Sequence, residues 1–195
     1  MIGDNVSVQD RDLLGRLTTY FDHIELRVRE GQGWLIFNSD RSRTRRISQF
    51  ISDRLREYRP LLSSYLLPWR DFALNAYMVK VELPGTPSPE EIQIADPRQR
   101  EEYAIAGRVS RDMYYQMCYC DLLVLHGVDP TYGHELGYLD QIINTRYTNR
   151  RASILITPRM PHELADGFET LAGKLGADTW QRFFGRLYET CLIAM

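Results

Sequence analysis

The sequence is short of cysteine, of lysine and of long apolar runs, and each shortage excludes something. Three cysteines, Cys118, Cys120 and Cys191, are too few and odd in number for a secreted disulfide scaffold, which points to a reducing, cytoplasmic setting. No apolar stretch approaches the ~20 residues needed to cross a bilayer. The opening Met1-Ile2-Gly3-Asp4-Asn5 lacks the basic-then-apolar order of an export signal, so no membrane role is expected. Of the 24 basic residues only Lys80 and Lys174 are lysines. Arginine's planar fork suits phosphate and carboxylate, although a GC-rich genome produces the same bias. With 26 acidic residues the formal net charge is −2, which is not the footprint of a nucleic-acid binder.

What is present is ordinary for a globular chain: 195 residues, 44% hydrophobic and 26% charged. That length suits one α/β domain over 1–195, with an N-terminal helix in 1–32, a core in 33–160 and C-terminal helices in 161–195. Leu13, Leu14, Leu17, Phe21, Ile24 and Val28 recur at helical spacing between Asp10 and Glu30, and Gly31 and Gly33 then stop the helix. Trp34-Leu35-Ile36-Phe37 reads as a buried parallel strand, Asn38-Ser39-Asp40 as a turn, and Arg45 to Tyr58 as a helix. A strand within Leu61–Trp69, a helix over Asp71–Val81 and a loop over Leu83–Pro89 follow. Beyond them come a helix over Arg98–Met117, a strand over Asp121–Leu125, a helix over Gly133–Tyr147, a strand over Ser153–Thr157 and two further helices. Alternating strands and helices predict a three-layer sandwich with a mostly parallel sheet.

The stretch from Asp121 to Arg159, DLLVLHGVDPTYGHELGYLDQIINTRYTNRRASILITPR, resembles the DnaC/IstB-type branch of AAA+ ATPases, the helicase loaders and transposition ATPases. Ile142-Ile143-Asn144-Thr145-Arg146-Tyr147 matches that branch's IINxRY stretch, and Ile154-Leu155-Ile156-Thr157 matches the strand after it. Gly33-Trp34-Leu35-Ile36-Phe37 stands where the strand before the phosphate loop belongs, and Arg182-Phe183-Phe184-Gly185-Arg186-Leu187 resembles the arginine-bearing helix after sensor 1. The resemblance implies a P-loop NTPase, AAA+-like fold with a five-stranded parallel sheet and Trp34–Phe37 at its centre, a helicase or recombinase as partner, and a role in DNA replication or transposition.

Against that pattern three departures stand out. A phosphate loop needs glycines to wrap the phosphates, a lysine, and a Ser/Thr for magnesium. Asn38-Ser39-Asp40-Arg41-Ser42-Arg43-Thr44-Arg45 has no glycine and no lysine, and either Thr44-Arg45 or Arg43-Thr44 falls at the Lys-Thr pair. His126-Gly127 stands where the magnesium-holding acids belong, and neither is a hard carboxylate ligand. Pro158-Arg159 replaces the sensor asparagine. The expectation is a pseudo-ATPase without catalytic residues or cofactor, in which Asn38, Arg41, Arg43, Thr44, Arg45, His126 and Arg159 are relics of a nucleotide site; the alternative is a chain whose unorthodox loop binds ATP without hydrolysing it. Arg182 and Arg186 are either relics of an arginine finger, which would imply oligomers, or surface arginines.

Other readings remain open. Arg41, Arg43, Arg45 and Arg46 at a strand-to-helix turn suit a nucleic-acid backbone or another anion, or else pair with nearby acids such as Asp40 and Asp53. Asp129 to Tyr138 also resembles the loop of nucleoside 2-deoxyribosyltransferases, in which Glu135 would be the nucleophile. Cys118, Cys120, His126 and His134 lack zinc-site spacing, and buried inert thiols are the expected reading.

Overall fold

In the computed structural model, residues 8–58, 61–82, 97–172 and 176–195 are described. The predicted loop Leu83–Pro89 lies outside them. Two N-terminal helices, α1 (Val8–Asp22) and α2 (Ile24–Arg29), lead into β1 (Gly33–Ile36) and α3 (Arg41–Glu57). Next come β2 (Ser64–Pro68), α4 (Trp69–Glu82), α5 (Pro97–Tyr119), β3 (Leu122–His126) and α6 (Gly133–Thr148). The chain continues through β4 (Ala152–Ile156), α7 (Pro161–Ala172) and α8 (Gly176–Thr190) and ends in β5 (Cys191–Ala194). The five strands form one parallel sheet ordered β2-β3-β4-β1-β5.

Helices cover both faces, so the inner strands are apolar on both sides, as parallel sheets require. Trp34, Ile36, Val124, Ile154 and Ile156 face α1, α2 and α3, where Leu17, Phe21, Ile24, Ile47 and Ile51 pack on them. Leu35, Leu123, Leu125 and Leu155 face the other helices, against Phe72, Met117, Leu139, Ile142, Phe168 and Phe183. Each such side chain removed from water contributes about 1.5–3 kcal/mol. The three-layer α/β sandwich expected from the sequence is what forms. No helix among the described residues is long and apolar enough to cross a membrane.

Four expectations are corrected. The helix read across Asp10–Glu30 breaks at His23, which turns Ile24 and Val28 onto the core beneath β4. The third helix begins at Arg41 rather than Arg45 because Asp40 caps it, its carboxylate accepting from the Arg43 amide at 2.7 Å. Arg41 to Arg46 carry no apolar periodicity, so that start was hidden. The C-terminal part is not helical throughout: Cys191–Ala194 pairs in parallel with β1 and completes the sheet. With β5 in place β1 is interior but not central, since β4 is the middle strand.

Gly33 shows what seats β1. A Cβ there would lie 1.8 Å from the Ser153 carbonyl oxygen, so only glycine lets the strand start beside β4.

Candidate functional site at the carboxyl edge of the sheet

Ligands of open parallel sheets bind beyond the strand carboxyl ends, where β1, β3 and β4 here release Phe37–Asp40, Gly127–Asp129 and Thr157–Arg159. Those three segments are laced to one another. The Phe37 amide donates to Ala194 O at 2.8 Å, Asn38 to Arg159 O at 3.1 Å and Ser39 to Thr157 O at 3.0 Å. Thr157 donates its amide to Ile36 O and its hydroxyl to Val128 O, at 2.8 and 2.7 Å, and Val128 donates to Ile156 O. Only four residues separate β1 from α3, and Asn38 among them has a left-handed backbone, φ 51°.

Arg43 fills the space beneath this connection. It is 8% exposed, with its Nε donating to Asp10 at 2.9 Å, Nη1 to the carbonyls of Phe37 and Asn38 at 3.1 and 2.9 Å, and Nη2 to Met195 O at 3.1 Å. Arg46 donates to the other Asp10 oxygen at 2.6 Å. Neither Asp40 nor Asp53 supplies the counter-charge: Asp40 caps α3, and Asp53 meets Gln49 and Arg56. The acid comes from α1, a partner distant in sequence. Thr44 is equally inward, its hydroxyl donating to Ser39 O and accepting from Ser39 Oγ. Arg41 and Arg45 are exposed, and neither guanidinium forms an ion pair or hydrogen bond with a described residue. The arginine cluster thus divides into a pair held by Asp10, buried Arg43 and exposed Arg46, and an outward pair, Arg41 and Arg45.

His126 ends β3 half-buried, and burial pushes its imidazole below the ordinary value, with the Asp71 charge acting the other way. Arg159 is held by Asp129 at 2.8 Å. The cavity beside that pair, lined by Asp129, Arg159, Glu163 and Phe168, measures ≈ 120 Å³. Small-molecule sites usually enclose about 300–1,000 Å³.

The remaining expected residues lie apart from this edge's centre. Glu135 is buried, and its carboxylate accepts from the amides of Thr131 and Tyr132 at 2.7 and 3.2 Å, so both bonds serve the start of α6. Arg186 pairs with Asp140 on α6 at 2.7 Å, whereas Arg182 is exposed on α8. Cys118 and Cys120 have thiols raised by burial, and Cys191 is pushed up to about 12. Sequence reasoning missed the part of Asp10, which sits on the apolar side of α1 at 5% exposure; an acid at that helical position was the available signal.

Arg146, the arginine of the IINxRY stretch, is 1% exposed. It donates to the carbonyls of Met117, Cys120, Asp121 and Ala152 and to Ser153 Oγ, tying α5 to the starts of β3 and β4. Its work is structural: a buried guanidinium satisfied by carbonyl oxygens.

The sheet order, the two helical faces and the short β1-to-α3 connection define an α/β fold of the P-loop NTPase, AAA+-like class. Among solved structures the chain is similar to a crystal structure of the DnaC helicase loader, at 15% sequence identity and TM-score 0.59, over 97% of this chain and 92% of that one. No family model and no curated protein matches the sequence.

Proposed function

We propose that this chain is a pseudo-ATPase: an AAA+-like interaction module that neither hydrolyses ATP nor holds it at the end of β1. The observation that carries the reading is the Phe37–Asp40 connection. A phosphate needs free amide donors and positive charge at a helix N-terminus. Here the amides of Phe37, Asn38 and Ser39 already donate to protein carbonyls, and the Asp40 carboxylate occupies the start of α3. Arg43, the candidate replacement for the missing lysine, spends its donors on Asp10 and main-chain oxygens. Neither His126 nor the Arg159–Asp129 pair offers a free carboxylate for magnesium. The likeness to a helicase loader supports a helicase as the protein partner, and the resemblance of the sequence adds a recombinase as the alternative. Any nucleic-acid backbone would be met by the outward Arg41 and Arg45.

Thermal denaturation with increasing ATP and magnesium tests this directly. A ligand that binds only the native state raises stability by about 2.7 kcal/mol at a hundred times its Kd. No shift is expected at millimolar ATP, and a saturable rise in Tm overturns the reading.

A further inference from the structure

The opposite edge of the sheet, where the strands begin, carries two adjoining clefts of ≈ 550 and ≈ 640 Å³ that share Leu62 and Arg151. One runs along β2, an edge strand bonded only to β3 among the described residues. Leu122 N donates to Ser63 O, so Ser63, Tyr65 and Leu67 face β3. Alternation in a parallel ladder then turns the main-chain groups of Ser64 and Leu66 outward. Pro68 falls on that same outward side, where its missing donor costs no ladder bond. Beside this open edge stand Tyr115 and Tyr119, 64% and 41% exposed, with ring centroids 4.7 Å apart.

The second cleft is basic. Arg29 and Arg150 line it, both exposed and neither ion-paired with a described residue, while Arg151 is engaged by Asp121. Arg150 holds φ 51° at the position after the C-cap of α6, where Arg150 N donates to Tyr147 O and Arg151 N to Arg146 O. Glycine is the usual residue there, so an arginine side chain is kept at a conformational cost.

We propose that these clefts form one docking site for an extended acidic peptide segment of a partner protein. The segment adds to the outer edge of β2, rests an aromatic or aliphatic side chain on Tyr115 and Tyr119, and brings carboxylates to Arg29 and Arg150. Arg150 precedes β4, two strand spacings from β2, roughly 10 Å or about three extended residues. A peptide fits better than a nucleic-acid strand because the outward main-chain groups of β2 complement another main chain. The proposal rests on reading the chain as an interaction module and gives that module its partner chemistry.

Fluorescence polarisation with a set of labelled octapeptides, each placing tyrosine or leucine ahead of aspartates and glutamates, tests the site. Members of the set are expected to bind, and Tyr115→Ser or Arg150→Gly each weakens binding about tenfold. N-methylation of the peptide main chain removes binding, whereas Arg41→Ala leaves it unchanged. Arg150→Gly keeps the fold because glycine suits that position, and circular dichroism checks both variants. Absence of binding, or binding indifferent to both substitutions, overturns the proposal. So does preferential capture of oligodeoxythymidylate through these residues, or self-association abolished by Ser64→Pro, which assigns the edge to a second copy. A failed peptide test with ATP still silent removes the docking site alone; ATP binding removes the pseudo-ATPase reading instead.

Discussion

Arg43 and Arg146 are two buried guanidiniums with different solutions. Arg146 is satisfied by carbonyl oxygens and Ser153, without a carboxylate, and burial pushes its value down. Arg43 has both, an acid from α1 and carbonyls at the end of β1. Removing one partner of a nearly buried pair leaves the other charge uncompensated, at about 3–5 kcal/mol. Asp10→Ala is therefore expected to lower the urea-denaturation free energy by about that amount. Replacing both Asp10 and Arg43 with apolar residues of similar volume leaves neither buried charge unpaired, so the double variant is expected to lose less than the sum of the two single variants. A double-mutant cycle in urea measures the coupling.

At the scale of elements, two helix ends meet back to back. Gly31 N donates to Val28 O and Gln32 N to Arg27 O after α2, in the same pattern that Arg150 and Arg151 make after α6. A Cβ on Gly31 would lie 3.0 Å from the Arg150 carbonyl group, so a side chain there would press on the backbone of the other helix end. Arg150→Gly is expected to raise Tm, the relief of a left-handed non-glycine residue being worth about 1 kcal/mol. Gly33→Ala acts in the other direction. Its methyl group meets the Ser153 backbone, which cannot rotate away, and a loss of about 3 kcal/mol or more is expected in thermal or urea denaturation. The element types were legible because periodicity and chain length determine them. The ends of α3 and the whole of β5 were not: Arg41 to Arg46 are polar, and Cys191–Ala194 is too short to declare itself outside a sheet.

For the whole molecule, pH gives a stability curve with two acid-side steps. His126 has a folded-state value below its ordinary 6.5, mainly through burial. Its contribution is complete above 6.5 and is lost as the pH falls from there through the lowered value. For Asp121 burial acts to raise the value, but the hydrogen bonds from Ser63 and the Arg151 charge outweigh it and hold the carboxyl below 3.8. Stability from Asp121 is present above 3.8 and disappears as the pH falls through the lowered value. Urea denaturation across this range is expected to show both declines, with His126→Gln removing the first and Asp121→Asn the second.

The sequence by itself determined the layered parallel architecture, because buried strands and amphipathic helices write their periods into residue order. It also displayed the unusual residues at the ends of β1, β3 and β4. Only the tertiary structure decided what those residues do. Asp10 lies 33 positions before Arg43 and Met195 lies 152 after it, yet all three converge beneath Asn38. Whether an arginine faces a ligand or the protein depends on which distant groups the packing brings to it. Local sequence holds no record of that distance.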